Sequence, residues 1–498
     1  MIRQVRTQLS TDWGSLGIMM VLIGIICLVP LAILPFYPDE AIYLPSFLIP
    51  SLLSIIAGIG IWLYCQRIKK QKGTLRFPEG KPEVLRRSAL IVVMTWLWAI
   101  LIGSLPFYMG GQLRVVQSLF ESVSGWTTTG LSAMDVTQTP AVFLFHRSFM
   151  QYCGGLGFVM MMVILTSGRQ DMLLFESEGH PDQLMPSLKK TARTVFCLFA
   201  VFLILGTIAL ALCGMSLFDA INHAMCSLST GGFSTRSGSI GEYSSFPVDF
   251  VTIVLMLTGT TNFAVLLLLA RGKIRQITRV SEVRLMFGLL ALCIPLLALI
   301  LKYQMGFSWL KSFQSALFDC VSALSTAGFS SMSYSQWPSA AILILIVLML
   351  IGGGMGSTAG GIKLMRIYLS SKAIWSSTRK QIEDSDEIAN IVYTRAQGTV
   401  IASKQLIRSV LNYIGLYLLV LVIGTLLICM FSNASLTESF FDFSSSLGTV
   451  GLSMGFTGPH TADSVLVVEM AGMLLGRLEI IIFFKGAYAL LHLFKRSE

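Results

Sequence analysis

Long apolar runs separated by short polar connections follow one another along almost the whole chain. A helix of about 20 apolar residues crosses a hydrocarbon core of about 30 Å. Ten runs approach or exceed that length, at residues 16–36, 45–65, 89–109, 149–166, 194–213, 250–270, 285–301, 340–361, 410–431 and 465–493. The pattern therefore predicts ten membrane-spanning helices and an all-α polytopic membrane protein.

The composition excludes a soluble globular protein. Of the 498 residues, 54% are hydrophobic and 12% are charged, whereas soluble domains carry about 25% charged residues. The first apolar run is longer than the core of a secretory signal peptide, and no small-residue cleavage site follows it. We therefore expect the first helix to stay in the mature protein and the outer surface of the fold to contact membrane lipid.

The formal net charge of +10 is concentrated in particular connections. Lysine and arginine cluster at residues 67–87, 189–193, 271–284 and 363–408, while intervening connections such as 37–44 contain none. Connections rich in these residues face the cytoplasm, so both termini are predicted to be cytoplasmic. Aromatic residues are not interleaved with the basic clusters, and nucleic acid is therefore not expected as a partner.

The nine cysteines and five histidines do not form a recognisable metal or cofactor motif. Most cysteines lie inside apolar runs, no C-x-x-C pair occurs, and the histidines are scattered. We interpret the cysteines as small buried hydrophobic residues without a disulfide framework. Since no group is placed for covalent or acid–base catalysis, the sequence indicates a transport protein that needs no cofactor and is not an enzyme.

The outer connections contain four copies of one pattern, which is Phe and an acidic residue, a short helical stretch, and then Thr-x-Gly. The acidic residues are Glu121, Asp219, Asp319 and Asp442, and the triplets are Thr128-Thr129-Gly130, Thr230-Gly231-Gly232, Thr326-Ala327-Gly328 and Thr449-Val450-Gly451. Each copy lies between two spans, so the repeated unit is span, short helix, loop and span. The units are predicted at 67–168, 169–272, 273–378 and 379–498, after two extra helices at 1–66.

The distance from the acidic residue to the last glycine is nine residues in three copies and thirteen in the second. Four extra residues make about one helical turn, which nearly preserves the phase of the short helix. We expect the acidic residues to cap the positive ends of these helices, with direct attraction of an ion as the alternative. Ordinary outer turns that use glycine for positive φ would not explain the short helices.

Four loops around one axis suit a dehydrated cation. Rings of backbone carbonyl oxygens replace the water shell of an ion in selective channels, and glycine permits the backbone conformations that aim carbonyls inward. The threonine hydroxyls add oxygens at one layer, and the negative C-terminal ends of the short helices favour positive charge. Because irregular backbone at membrane depth must line a cavity, we predict that the twelve triplet residues bind the transported ion.

With these four triplets, the chain resembles the Trk/Ktr/HKT superfamily of potassium transporters, and its two extra N-terminal spans make it most similar to bacterial TrkH-type subunits. In that superfamily, glycine at all four loops accompanies potassium selectivity, and this chain has Gly130, Gly232, Gly328 and Gly451. The resemblance implies potassium uptake through the bacterial cytoplasmic membrane. It also implies a homodimer with a cytosolic, nucleotide-binding regulatory subunit.

Several other functions remain open from the residues themselves. A sodium-permeable transporter or a cation-coupled symporter would have the same architecture. An integral-membrane enzyme should carry clustered ionisable residues at the midplane, where this chain has little more than Arg477 and Glu469. An organic-solute carrier is built from inverted repeats, whereas the four copies found here run in the same orientation.

A glycine-rich segment interrupts the second span of the third repeat. Gly352, Gly353, Gly354, Gly356, Gly360 and Gly361 fall within ten residues. Each glycine costs a helix about 1 kcal/mol against alanine. The segment lacks the strand–helix context of a dinucleotide-binding loop. Close helix packing is one interpretation, and a flexible gate below the Thr-x-Gly loops is the one that the resemblance favours.

Arg477 lies inside the last apolar run, where a charge is costly and usually functional. It is predicted either to pair with Glu469 or Glu479, or to stand in the pathway beside the glycine-rich segment as an electrostatic brake on cations. Small residues at matching depth, namely Gly154, Gly155, Gly157, Gly259 and Gly476, would let helices crowd around such a pathway.

Overall fold

The computed structural model describes residues 2–72, 81–157, 188–383 and 390–495, and most of them are helical. The α-helices of the first half are α1 (Ile2–Leu28), α2 (Leu44–Lys72), α3 (Lys81–Met109), α4 (Val115–Trp126), α5 (Ala141–Leu156), α6 (Leu188–Leu212), α7 (Leu217–Leu228), α8 (Phe246–Thr260) and α9 (Phe263–Ala270). The remaining α-helices are α10 (Ile274–Ile277), α11 (Ser281–Met305), α12 (Trp309–Ser325), α13 (Ser339–Ile351), α14 (Leu364–Glu383), α15 (Lys404–Phe431), α16 (Leu436–Gly448), α17 (Asp463–Arg477) and α18 (Ile480–Lys495). Short 3₁₀ helices occur at Val29–Phe36, Pro38–Tyr43 and Ser239–Tyr243.

The first two helices form a hairpin outside the repeats and pack against α3. Glycines let them approach closely, because a Cβ atom on Gly58 would lie 2.5 Å from Gly17 O. The four repeats then follow as α3–α4–α5, α6–α7–α8, α11–α12–α13 and α15–α16–α17, each with a short helix between two others. The predicted fold class is thereby confirmed. The residue limits given above for the repeats stay a prediction.

The four short helices (α4, α7, α12 and α16) link the repeats into a closed ring. Besides its own repeat, each packs against the second helix of the preceding one: α7 on α5, α12 on α8, and α16 on α13. Helix α4 of the first repeat packs on α17 of the last, which completes the circle. The four repeats therefore surround one axis, and the ends of the short helices meet near it.

Six of the ten predicted spans are continuous helices, and the other four are interrupted or lie partly outside the described residues. Among the described residues, Trp13–Phe36, Pro38–Ile68, Ala89–Met109, Ala192–Leu212, Ser281–Met305 and Lys404–Phe431 are long and apolar enough to cross a membrane. A seventh candidate is the pair α8–α9, which bends by 115°. In the third repeat, α13 stops at Ile351, and in the fourth α17 stops at Arg477. The continuation of α5 toward residue 166 lies outside the described residues.

Those interruptions have a common physical reason. Apolar composition records which segments avoid water, but it does not record whether the backbone bends. A bend at membrane depth is tolerated where neighbouring protein satisfies the freed backbone groups. Each second helix packs against two short helices, its own and that of the next repeat, so such neighbours are available. The long helices carry exposed apolar side chains that lipid would cover, such as Ile56, Leu205 and Leu419.

A small hairpin projects beside α14 at one end of the bundle. Its strands β1 (Val392–Arg395) and β2 (Gly398–Ile401) pair antiparallel, with Val392 opposite Ile401. The backbone N–H of Thr394 donates to Ser281 Oγ at 2.9 Å, which attaches the hairpin to the start of α11. The described part of the region that the sequence marks as basic therefore combines a helix and a hairpin.

Candidate functional site: a ring of four Thr-x-Gly loops

Each short helix ends in the same backbone motif. In the first repeat, Thr128 N–H donates to Gly125 O at 3.1 Å and Thr129 N–H donates to Ser124 O at 2.9 Å. The corresponding pairs of bonds occur in the other copies, for example from Thr449 to Ser446 O and from Val450 to Ser445 O. This is the Schellman pattern, which satisfies the last helix carbonyls by placing the next residue in the left-handed conformation. All four loops therefore leave their helices in the same direction.

Backbone handedness alternates along every triplet. The threonines have φ of +57°, +53°, +56° and +50°, and the final glycines have +95°, +77°, +72° and +102°. None of the middle residues, Thr129, Gly231, Ala327 and Val450, has a positive φ. Alternation of left- and right-handed residues places successive N–H groups on one side and their carbonyl oxygens on the other. Each triplet can thus present consecutive carbonyl oxygens to one line.

The loops touch each other through their glycines. A Cβ atom on Gly130 would lie 2.0 Å from Gly231 O, and one on Gly232 would lie 2.3 Å from Ala327 O. A Cβ atom on Gly328 would lie 2.0 Å from Val450 O, and one on Gly451 would lie 2.2 Å from Thr129 O. Each glycine therefore faces the middle carbonyl of the next copy, in the order one, two, three, four, one. The four triplets form a closed ring with no room for a side chain at the glycines.

The four threonine hydroxyls lie on this ring in different bonding states. Thr230 Oγ1 donates to Ser229 O at 2.7 Å, and Thr326 Oγ1 accepts from Gly360 N at 2.9 Å. The hydroxyls of Thr128 and Thr449 are buried and have no hydrogen-bond partner within the described residues. A buried hydroxyl without a partner costs about 1–3 kcal/mol. Two of the four hydroxyls are thus available as oxygen ligands.

Three of the four acidic residues do not lie at the start of their short helix, so the expectation of capping is wrong for them; only Asp219 lies in a first turn, that of α7. Glu121, Asp319 and Asp442 lie in the middle of α4, α12 and α16, and the serines Ser308 and Ser435 cap the last two of these helices. The carboxylates instead bind the chain that follows each Thr-x-Gly triplet, which places them behind the loops. The nine-residue spacing between the acid and the last glycine lets the chain turn after the triplet and contact the acidic side chain.

The first and fourth repeats show this contact most clearly. Glu121 accepts from Ser132 Oγ at 3.0 Å and from Ala133 N at 3.2 Å. Asp442 accepts from Ser453 Oγ at 2.8 Å and from Met454 N at 3.0 Å. In the third repeat, Asp319 accepts from Ser331 and Tyr334. Each carboxylate therefore anchors the chain just after its own loop.

The second repeat achieves the same anchoring with a histidine that the sequence analysis missed. His223 lies nine residues before Gly232, as the acids do in the other copies, and its Nε2 is 2.9 Å from Ser234 Oγ. Asp219, one turn earlier, binds Thr235 and Arg236. The spacing of thirteen thus reflects a different anchoring residue in a short helix that is no longer than those of the other repeats. The nine-residue spacing itself was the signal that would have identified His223.

Gln151 is a second residue that the sequence pattern did not indicate. Its Nε2 donates to Gly231 O at 2.6 Å, and its Oε1 accepts from Phe233 N at 3.1 Å. The side chain is completely buried on α5, so the first repeat holds the loop of the second. A single glutamine inside an apolar run was the available sign.

The glycine-rich segment, residues 352–363, lies against the threonine side of the ring and is called the glycine loop. It contacts the second repeat through Thr358 Oγ1, which donates to Gly259 O at 2.9 Å, and through Gly354 N, which donates to Thr260 O at 3.0 Å. Asn262 Nδ2 donates to Met355 O at 2.5 Å. The broken end of α8 therefore holds the first half of the loop.

The second half of the glycine loop reaches two other repeats. Gly360 N donates to Thr326 Oγ1 in the third repeat. A Cβ atom on Gly360 would lie 2.1 Å from Thr449 Oγ1 and 2.3 Å from Gly448 O in the fourth. The loop is thus in direct contact with the threonine layer on that side of the ring.

Arg477 connects this loop to the first repeat. Its Nη1 donates to Thr358 O and its Nη2 to Gly154 O, both at 2.6 Å. The expected partner Glu479 binds Arg366 at 2.8 Å instead, and Glu469 accepts from Thr457 Oγ1. Arg477 therefore spans from the fourth repeat to the third and the first, underneath the ring.

The small residues pack against the ends of the short helices. A Cβ atom built on Gly154 would lie 2.1 Å from Trp126 O. One built on Gly259 would lie 2.4 Å from Leu228 O, and one built on Gly476 would lie 2.0 Å from Leu447 O. The second helices can therefore approach the axis closely enough to confine the ring. Gly157 ends α5 with a φ of +78°.

The chemistry of this arrangement is that of oxygen ligands. Within the described residues, no group of three or more His, Cys, Asp and Glu side chains is placed to hold a transition metal. The ring offers backbone carbonyls and hydroxyls, which suit hard, weakly bound cations.

Comparison with known proteins places the chain in a family. A family model described as TrkH, a cation transport protein, matches residues 59–318 and 311–484. The Trk system potassium uptake protein TrkG of Escherichia coli (strain K12) is 29% identical over 489 residues, which cover 95% of this chain and 97% of that protein. An uncharacterized cation transporter of Methanocaldococcus jannaschii, MJ1485, is 29% identical over 476 residues, covering 94% and 92% of the two chains.

A solved structure agrees with these sequence matches. The crystal structure of the potassium transporter TrkH from Vibrio parahaemolyticus superposes with a TM-score of 0.82 at 26% identity, over 96% of this chain and 98% of that one. The matched residues of the family model contain all four Thr-x-Gly loops and the glycine loop. The chain therefore belongs to the TrkH family of cation transport proteins.

Proposed function

We propose that this protein takes up potassium ions across a bacterial cytoplasmic membrane, through the ring of four Thr-x-Gly loops. The observation that supports this most directly is the close approach of each glycine to the middle carbonyl of the next copy. A Cβ atom built on any of the four glycines would lie 2.0–2.3 Å from that carbonyl oxygen. Relatives named as potassium uptake proteins align over 95% and 83% of the chain. The protein transports an ion and catalyses no reaction.

The proposed potassium ligands are the twelve triplet residues. Carbonyl oxygens from the four copies would replace the hydration shell, and the hydroxyls of Thr128 and Thr449 would contribute at the inner layer, where they are buried without a partner in the described structure. Such substitution of oxygen for water is what lets an ion enter a medium of low dielectric constant. Potassium is the substrate here, and no bound cofactor is proposed.

The glycine loop is the proposed gate, and Arg477 is proposed to stabilise its closed position. The loop would block the pathway while Thr358 and Gly360 hold it against the ring, and Arg477 would add a positive charge under the ion site. We further propose a homodimer regulated by a cytosolic, nucleotide-binding subunit. The hairpin β1–β2 and α14 supply a surface next to the gate for such a partner.

Purified protein in proteoliposomes tests the proposed potassium pathway. Wild-type protein should take up potassium in preference to sodium, driven by the potassium gradient alone. The variant Gly130→Ser should lose much of this preference, because its Cβ would lie 2.0 Å from Gly231 O and force the ring to widen. Gly111→Ser is the control, since Gly111 also has a positive φ but no atom within 4 Å of its Cβ position.

The same assay separates the competing function. Equal uptake of sodium by the wild type, or potassium uptake that requires a sodium or proton gradient, would favour a sodium-permeable transporter or a coupled symporter. An unchanged potassium preference in Gly130→Ser would contradict the assignment of the ring as the selective site.

A further inference from the structure

Two buried carboxyl groups of the fourth repeat share a single hydroxyl. Thr457 Oγ1 is 2.9 Å from Asp442 Oδ2 and 2.7 Å from Glu469 Oε1. Both acidic side chains have no exposed surface. A threonine hydroxyl carries one hydrogen and an ionised carboxylate carries none, so Thr457 can donate in only one of these contacts. The other contact needs a hydrogen that belongs to a carboxyl group.

The surroundings indicate which carboxyl is protonated. Asp442 also accepts from Ser453 Oγ, Met454 N and Thr457 N, and such bonds favour the ionised form. Glu469 Oε2 is buried without any hydrogen-bond partner in the described part of the chain, which an ionised carboxylate tolerates poorly. Glu469 Oε1–H therefore donates to Thr457 Oγ1, whose own hydrogen is donated to Asp442 Oδ2.

The helices packed around the pair carry few charges that could replace this proton. Helix α13 has no titratable side chain, and α15 has Lys404 and Arg408 near its start and the tyrosines Tyr413 and Tyr417 further along. On α4, Glu121 is paired with Arg147. Helix α18, which starts after α17 ends at Arg477, carries Lys485, Tyr488, His492 and Lys495. Within the described residues, no basic side chain lies at salt-bridge distance from Asp442 or Glu469.

On the helices of the pair themselves, the other charges are engaged elsewhere. Glu438 belongs to the capping box of α16, and Asp463 pairs with Arg114 at 3.4 Å. Arg477 binds the glycine loop. The charge of the pair must therefore be balanced within the pair itself.

The first repeat solves the same problem with an arginine. Arg147 lies seven residues before Gly154, and Glu469 lies seven residues before Gly476, which is the matching glycine of the fourth repeat. Arg147 binds Glu121 at 2.9 Å. The position that holds Arg147 beside Glu121 in the first repeat thus holds Glu469 beside Asp442 in the fourth.

We infer that Asp442, Thr457 and Glu469 form a proton-binding site, in which one proton is held on Glu469. The inference is independent of the proposed function, since it depends on the bonding of these three residues alone. The proton is retained at low pH and released as the pH rises, which would leave two negative charges side by side in a buried site. Segment 453–457, which Asp442 holds, directly follows the ring at Gly451.

Infrared spectroscopy of the purified, full-length protein tests whether the proton is present. The wild type should show the C=O stretch of a buried, protonated carboxyl group. Glu469→Gln should lose that band and still fold, because its amide N–H can donate to Thr457 Oγ1 as the protonated acid does. The control Asp463→Asn, half-exposed on the same helix, should keep the band. A band that is absent from the wild type, or that survives in Glu469→Gln, would overturn the inference, as would failure of Glu469→Gln to fold.

Thermal unfolding against pH provides the second arm. From mildly acidic to mildly alkaline pH, the unfolding midpoint of the wild type should fall by several degrees more than that of Glu469→Gln. Parallel curves would contradict a titrating pair. A metal cation as the occupant is the competing possibility: if sodium chloride, compared with choline chloride, abolishes the carboxyl band of the wild type at mildly acidic pH, sodium occupies the site in place of the proton and the proton inference fails.

Discussion

The threonine that follows each short helix adopts a left-handed conformation that β-branched residues usually avoid, at a cost of about 1–3 kcal/mol. Glycine is the usual residue at this position of a Schellman motif, and all four copies have threonine instead. A hydroxyl at the ring is the chemical difference between the two residues. The strain is therefore consistent with a requirement for oxygen at this layer.

Thr449→Val separates this role from a structural one. Valine keeps the shape and the β-branch but removes a buried hydroxyl that has no partner within the described residues. We expect unchanged or slightly higher thermal stability, with a loss of about 1 kcal/mol, or about fivefold, in apparent potassium affinity. Uptake against potassium concentration provides the measurement.

Thr425→Val is the matched control, because the Thr425 hydroxyl donates to Leu421 O within its own helix. It should leave the potassium affinity unchanged. If Thr449→Val had the affinity of the wild type, the hydroxyl would have no part in ion binding.

The ion pair of Glu121 and Arg147 predicts a large effect on stability. Both side chains are buried, at 0% and 3% exposure. Arg147→Met would leave Glu121 charged and uncompensated, which costs about 3–5 kcal/mol. The double variant Glu121→Gln/Arg147→Met should recover most of that loss, as measured by unfolding in detergent.

The exposed pair Arg379–Glu383 serves as the comparison, since its side chains are 65% and 46% exposed. Arg379→Met should change the unfolding free energy by no more than about 1 kcal/mol. Equal effects of the two arginine variants would mean that the Glu121–Arg147 pair contributes no more than a surface contact.

The sequence predicted which residues form the triplets but not what the acids do. The four Thr-x-Gly motifs were visible because the periodicity of a repeat is independent of tertiary structure. The anchoring of segment 130–134 by Glu121 was not, since it requires the chain to reverse after the loop. His223 was missed for a related reason, because it takes over a bond without sharing the acid's chemistry.

At the scale of elements, the second helix of each repeat differs from the first. The first helices cross as continuous apolar segments, while the described second helices end or bend at the level of the glycine loop. Hydropathy predicted the first group correctly, because lipid contact selects for apolar side chains along the whole length. It overestimated the continuity of the second helices, because their breaks depend on tertiary contacts such as the hydrogen bond from Asn262 Nδ2 to Met355 O.

The attachment of the glycine loop leads to a prediction about gating. Thr358 Oγ1 donates to Gly259 O at 2.9 Å and lies 3.3 Å from Leu228 O. Thr358→Val removes these contacts and should weaken the closed position by about 1 kcal/mol, which corresponds to about fivefold higher potassium flux at saturating concentration. Flux into proteoliposomes with equal amounts of protein is the measurement.

Thr258→Val is the control for this variant, because the Thr258 hydroxyl donates to Val254 O inside α8. It should leave the flux unchanged. A flux through Thr358→Val that is equal to or lower than that of the wild type would argue against the loop as a gate.

For the molecule as a whole, the four repeats share a backbone plan but not a charge distribution. The anchoring carboxylates of the first two repeats bind Arg147 and Arg236, whereas those of the last two are bound by hydroxyl and N–H groups. A single chain can vary its copies independently, as a symmetric tetramer cannot. Repetition was therefore predictable from the sequence, while the differences between copies emerged only from the contacts.

The orientation of the molecule is the prediction at the largest scale. The glycine loop lies on the side of the ring that leads into α14 and the hairpin, where Lys372, Arg379 and Lys380 cluster. Basic connections face the cytoplasm, so the gate should be on the inner side and the acid-anchored segments on the outer side. In intact cells, a membrane-impermeant thiol reagent should label Ser237→Cys and spare Gln397→Cys, with the parent chain as the background; permeabilised cells should show labelling of both. The reverse pattern would place the gate on the outer side of the ring, where a cytosolic regulatory subunit could not reach it, and both the direction of uptake and the proposed partner would have to be abandoned.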